Sequence, residues 1–378
     1  MATRSKDSAL TVWATALSLV CVWVVLMQEM LVRTRDADFL NLYTGFSLAR
    51  DGQFAVLHDL TLQYARERMI SPGTQEFSPF NRPHFYAALL SPVSWLAHKT
   101  VWPYWLAGHL ALLLGCFWWG QRRFGHDAVL LGAAFYPPFT AIAHGQDSVF
   151  MAAIFIAAWA LFENKKSFLA GLVLGLALMK WHLIVLFPVA LLLRRQWKIL
   201  AGFLSASAAA VAFMFAAGGI AGARNYYQLL SGKFDDGAIK GPQLMLNIAA
   251  IPANFNLNAL APKLLLGSLV LLGVGWIWLV SKQDWLCFSA TAVASMLVVP
   301  HVYVYDASAL LIVIWLVHRN AQTLVLRRYL LWIASPLPYL AVALPPPYSA
   351  AAAISLTLFL GALWWESRRA SGLSQQNR

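Results

Sequence analysis

The chain has 378 residues, 60% of them hydrophobic and only 12% charged, which excludes a soluble globule and defines an integral membrane protein. Its formal charge of +12 does not signal nucleic acid. The basic residues fall in short loops between apolar runs, with no zinc finger, stacking domain or dense basic stripe beside them. The 17 Trp, 22 Phe and 12 Tyr suit a protein with two water–lipid boundaries. Cys21, Cys116 and Cys287 all lie in apolar segments and read as small buried hydrophobes, not a disulfide framework or metal site.

The first span is expected over 9–31. It follows a short basic start and lacks a small-x-small cleavage site, so it reads as a retained helix. Residues 32–82 form a long first loop whose mix of charges with Phe, Leu and Tyr predicts one or two amphipathic helices at the membrane surface. A Pro/Gly-rich turn leads into the apolar piece 84–97, too short for a standard span and read as re-entrant or as a short tilted helix. Further spans are expected at about 101–120, 127–142, 148–162, 168–181, 183–193, 199–219, 264–281, 285–299, 303–317, 329–344 and 349–365. The stretch 168–193 is interrupted by Lys180, Trp181, His182 and then Pro188, the pattern of a broken helix lining a polar cavity. A second long loop is expected at 220–262. The expected fold is thus an all-α polytopic membrane domain of about 12 transmembrane helices, within a range of 10–13.

With that count both termini share one side with Arg122–Arg123, Lys165–Lys166, Arg194–Arg195, Lys198, Lys282, Arg319, Arg327–Arg328 and Arg368–Arg369. The positive-inside rule makes this side cytoplasmic. The opposite face receives both long loops, His144–Asp147, Lys180–His182 and 300–306. The unusual polar residues therefore converge on the non-cytoplasmic face.

Each of these residues has two readings. Asp36 and Asp38 are interfacial charges, or a general base and ligands for a divalent ion. Arg82 is an ordinary interfacial arginine or a contact for a lipid phosphate. His144 and Gln146 can hydrogen-bond sugar hydroxyls, whereas Asp147 or Ser148 acting as a helix cap would explain part of that cluster with no function. Lys180 lies inside an apolar run, where a charge is costly unless it faces a cavity or snorkels. It suits a phosphate, and the adjacent Trp181 suits a sugar face, with His182 beside them. His301, Tyr303, Tyr305 and Asp306 form an interfacial belt or the lining of a sugar or phosphate pocket; a histidine zinc cluster is not expected there.

The order of these pieces resembles glycosyltransferase family 87, multi-spanning enzymes of the GT-C class that use polyprenyl-phosphate sugars. The resemblance covers about 10–320. It is carried by Asp38–Phe39 and Tyr43; by the proline-containing turn before 84–97, where Pro83–His84 stands for a double proline; by Gly145–Gln146; by Lys180 in its Ala-Gly…Lys…Pro…basic segment; and by Pro300, His301, Tyr305 and Asp306. His58 replaces a tyrosine of the family pattern before Asp59. The resemblance implies transfer of mannose or a similar sugar from a polyprenyl-phosphate donor to a glycan or lipid acceptor, on the periplasmic side of a bacterial inner membrane. It selects Asp38 over Asp36 as general base.

Lys180, Arg82 and His301 are then expected at the donor phosphate, and His144, Gln146, Trp181, His182, Tyr303, Tyr305 and Asp306 around sugar and acceptor. The sequence neither demands nor excludes a cofactor; Mg²⁺ or Mn²⁺ could supply part of the positive charge. A flippase of lipid-linked sugar and a non-catalytic scaffold of envelope glycan assembly are the alternatives. The flippase needs a polar path through the full membrane depth, and the cytoplasmic halves of the spans read as nearly featureless. A nucleotide-sugar enzyme fits less well, because its donor is cytosolic.

Overall fold

The computed structural model describes residues 15–20, 22–23, 35–74, 77–231, 241–257 and 260–376, except for the side chains of Asp36, Ala37 and 370–376. Most of the expected first span and part of the 220–262 loop lie outside the described residues. The described part of the first span is helical, and its Trp23 indole donates to the Ala133 carbonyl at 3.1 Å.

The chain re-enters through a π-helical turn, Arg35–Phe39, that runs into α1 (Leu40–Arg50). α2 (Leu60–Ile70) follows, its first turn capped by the Asp59 carboxylate, which accepts from the Leu62 amide. α3 (His84–Leu90) and a 3₁₀ turn, Ser91–Trp95, occupy the short apolar piece. Their combined rise of roughly 20 Å falls short of the ~30 Å of a bilayer core.

α4 (His98–Phe124) is long enough to span. It ends at Gly125, whose φ of +91° stops the helix just after Arg122 and Arg123. α5 (His126–Ala134) and α6 (Pro137–Ala143) split the next expected span at the proline pair, and α7 (Ser148–Glu163) returns. α8 (Ser167–Leu176) passes into a 3₁₀ segment, Ala177–Ile184, before α9 (Phe187–Leu193) and the long α10 (Trp197–Leu230). α10 continues beyond the expected loop boundary at 220 and turns a corner at Gly219, whose φ is +62°. α11 (Ala250–Asn254), α12 (Leu260–Val280) and α13 (Asp284–Val298) follow. A 3₁₀ segment, Val304–Leu310, leads into α14 (Leu311–Asn320). α15 (Leu324–Ala334), α16 (Leu337–Leu340) and α17 (Ala351–Gln376) complete the chain.

Five helical stretches among the described residues are long and apolar enough to cross a membrane: His98–Phe124, Ser167–Ile184, Trp197–Leu230, Leu260–Val280 and Tyr348–Arg369. Ser148–Glu163 and Asp284–Val298 are shorter apolar helices. The architecture is all-helical and multi-pass.

Packing follows the rules of membrane helices, where close backbone approach replaces the hydrophobic drive. α8 and α10 meet through Gly171, Gly175 and Gly202. A Cβ on Gly171 would run into the Ile199 carbonyl, and one on Gly202 into that of Phe168. At the basic face, Glu366 of α17 reaches the start of α15. It accepts the amides of Gln322 at 2.7 Å and Thr323 at 3.1 Å, while Thr323 caps Leu326. Trp315, fully buried on α14, donates to the Ala128 carbonyl at 2.8 Å and so fastens α14 to α5.

Candidate functional site

Four chain breaks meet at one place. They are the loop before α3, the turn between α6 and α7, the 3₁₀ segment after α8, and the loop with 3₁₀ segment before α14. Interrupted helices expose backbone polar groups and are tolerated at membrane depth only where protein or a cavity surrounds them.

The turn from α6 to α7 is built on Gly145. Its φ is +64°, and a Cβ there would collide with Trp102 and Phe39, so glycine is required twice over. The Trp105 indole donates to the Gly145 carbonyl at 2.9 Å. Phe39, from the turn that follows the first span, packs fully buried against His98, Trp102 and Trp105, with ring centroids 5.1–5.3 Å away. Asp38 is the chain neighbour of this aromatic anchor.

The centre of the site is a buried ionic cluster. Arg82 grips the Asp147 carboxylate with two bonds, Nε to Oδ2 at 2.8 Å and Nη2 to Oδ1 at 2.9 Å. Lys180 Nζ lies 3.1 Å from Asp147 Oδ1 and 2.7 Å from Asp306 Oδ1, and donates to the Ser148 hydroxyl at 2.5 Å. Ser148 in turn donates to Asp306 at 3.1 Å, and Asp306 Oδ2 accepts the Tyr303 amide at 3.0 Å. Lys180 sits at a non-helical point of its segment (φ −128°, ψ 63°), and this local unwinding turns its ammonium inward. Two cations and two carboxylates balance, which is what makes their burial affordable. Arg82 also bonds Asn81 and Gln146, so in this arrangement most donors of both cations are turned to internal partners. A phosphate arriving here would compete with the carboxylates for these cations.

Aromatic groups line one side. Lys180 Nζ stands 5.1 Å from the Tyr305 ring centroid, His144 packs on Tyr305, and Tyr303 lies between Tyr305 and His301. His301 faces His182, and Trp181, more than a third exposed, adjoins His182 edge to face. The buried His182 Nε2 has no hydrogen-bond partner among the described residues. Asp38 is half-buried and electrostatically coupled to Tyr305. Arg82, His144, Gln146, Lys180, His182, His301, Tyr303, Tyr305 and Asp306 thus assemble, with Asp38 at the margin and Trp181 at the exposed end. The Asp36 side chain lies outside the described residues. No group of three or more His, Cys, Asp or Glu side chains among the described residues could hold a metal ion.

Asp147 was readable only as a helix cap, yet its side chain makes no cap bond and instead joins Arg82 to Lys180. The signal was the charge of Lys180 itself. A lysine inside an apolar block needs carboxylates, and Asp147 and Asp306 are the acids that open neighbouring apolar blocks. A second group carries no role in the sequence reading. His58 donates to the Arg82 carbonyl at 2.8 Å and packs on His84 and on Tyr226 of α10. Burial pushes the His58 imidazole down to about 3. In α2 of the first loop, burial pushes the Glu67 carboxyl up to about 8.

Long apolar helices broken around a compensated ionic cluster define a multi-pass membrane protein with a polar centre. The chain belongs to glycosyltransferase family 87, whose family model matches residues 80–335. Membership makes it a membrane glycosyltransferase, and the matched region contains the whole ionic cluster. No curated protein and no solved structure matches the chain.

Proposed function

We propose that the protein is an inverting GT-C glycosyltransferase of a bacterial inner membrane, with about 12 crossings, cytoplasmic termini and a periplasmic site. It moves mannose or a similar sugar from a polyprenyl-phosphate donor to an envelope glycan or lipid. The observation that carries this reading is the meeting of Asp38, the Arg82–Asp147–Lys180–Asp306 cluster and the His/Tyr wall at the helix breaks of a family 87 chain. Asp38 removes the proton of the acceptor hydroxyl as that oxygen attacks the anomeric carbon. The bond from that carbon to the phosphate oxygen breaks, and the leaving polyprenyl phosphate carries the electron pair.

Arg82 and Lys180 are the cations for that developing charge, each exchanging one carboxylate contact for a phosphate oxygen. His301 stands beside them, and His144, Gln146, Trp181, His182, Tyr303, Tyr305 and Asp306 hold the sugar and acceptor. Asp36 is the substitute base. Were a divalent ion to bind, Asp38 would be the residue to hold it, and the ion would supply further positive charge for the leaving phosphate.

The test is sugar release from a panel of polyprenyl-phosphate sugars by the purified protein in liposomes, with Asp38→Asn in parallel. Turnover of one donor that is lost in a folded Asp38→Asn protein supports the reading. Full turnover in the variant refutes Asp38 as base, and no binding or turnover across the panel refutes the donor class.

A further inference from the structure

The face opposite the ionic cluster is also hollow. A vestibule of about 590 Å³ opens between the end of α4, the α7–α8 turn, the start of α13 and the end of α14. Trp159, Phe162, Gln196 and Asp284 form its inner wall and also line a narrower slot of about 80 Å³. Beyond them the slot is almost wholly apolar, bounded by Leu174, Phe187, Ala190 and Phe288. The cavity therefore has a charged mouth and a greasy throat, the profile of an amphipathic ligand.

The charges at the mouth choose its sign. Arg123 is bound by two 2.9 Å contacts to Glu163, and Arg194 pairs with Asp284 at 2.9 Å while donating to the Ser281 carbonyl at 2.6 Å. Among the described residues Lys165 and Arg319, both exposed, have no acidic partner. Lys165 is held at the turn by a left-handed backbone, φ +61°. Two uncompensated cations at the lip of an apolar slot match one phosphate carrying a hydrocarbon chain.

We propose that this vestibule and slot bind an anionic phospholipid from the leaflet on the basic face. Its phosphate rests on Lys165 and Arg319, and the first methylenes of one acyl chain enter past Trp159 and Phe162. The site is separate from the ionic cluster and does not depend on the donor chemistry proposed for it.

The experiment is native mass spectrometry of the full chain in detergent, titrated with phosphatidylglycerol or phosphatidylcholine. The native protein is expected to retain phosphatidylglycerol preferentially. The variant K165Q/R319Q is expected to bind it about 30-fold more weakly, as the loss of two interfacial cations implies. The control R328Q/R369Q removes the same charge from the same face outside the vestibule and is expected to bind as the native chain does. Equal weakening in both variants would reduce the effect to general surface charge and overturn the proposal. So would unchanged binding in K165Q/R319Q. Inorganic phosphate is expected to leave the bound lipid in place; displacement by it at millimolar concentration would mean that the headgroup alone is read and the slot is irrelevant.

Discussion

Replacing Asp147 by Asn tests whether the ionic cluster is held together by charge balance. Asp147 is fully buried and meets both cations, with two bonds to Arg82 and a contact of 3.1 Å to Lys180. Asparagine keeps the shape but leaves two buried cations facing the single carboxylate of Asp306. Removing one partner of a buried ion pair costs about 3–5 kcal/mol, mostly because the stranded charge stays desolvated. Asp147→Asn should therefore lower stability by about that amount, read as a shift in an unfolding titration of the detergent-solubilised protein followed by tryptophan fluorescence. The double variant Arg82→Gln/Asp147→Asn restores neutrality and should recover part of the loss, with a coupling energy of about 1–3 kcal/mol across the cycle. A cost below about 1 kcal/mol for Asp147→Asn, or an additive cycle, would refute the charge-balance argument.

Four further outcomes are expected. Gly202→Val should separate α10 from α8, because the added carbons meet the Phe168 carbonyl, and should cost upwards of about 3 kcal/mol in the same titration. The Glu67 carboxyl is raised from its ordinary 4.5 to about 8, so the stability linked to its protonation is fully present below 4.5 and lost as pH climbs through 8; thermal melts of Glu67→Gln should lack that slope between pH 4.5 and 8. His58 runs the other way. Its imidazole is depressed from 6.5 to about 3, so the native fold should weaken as pH falls below 6.5, and melts of His58→Gln should be flatter over that range. EDTA should leave turnover unchanged, because Arg82 and Lys180 supply the positive charge; loss of turnover on chelation would refute that assignment.

The parts of this molecule that were legible in its sequence are those where chemistry conflicts with surroundings. Lys180 in an apolar run predicted a broken helix, and the chain unwinds there into a 3₁₀ segment. Gly145 predicted a tight connection and adopts a left-handed backbone. The short piece at 84–97 is helical over too little length to cross. What hydropathy could not see was where helices stop. The end of α10 runs on to Leu230 because nothing between Gly219 and Leu230 forbids a helix, whereas the expected span at 329–344 breaks at Ser335 before α16. Asp147 was hidden for another reason. Its partners Arg82 and Lys180 are distant in sequence, and a carboxylate beside a helix start has a local use that needs no partner at all.

The corner at Gly219 has a mechanical meaning. At ~1.5 Å per residue a helix as long as α10 measures about 50 Å, well beyond the ~30 Å apolar thickness of a bilayer. Bent at Gly219, its far end becomes a buttress that brings Tyr226 onto His58 and His84. His58 holds the backbone of Arg82, and Arg82 holds Asp147. A continuous line of contacts thus runs from the shaft of α10 through Tyr226, His58 and Arg82 to the ionic centre. A single glycine corner therefore decides whether the outermost helix touches the polar core at all.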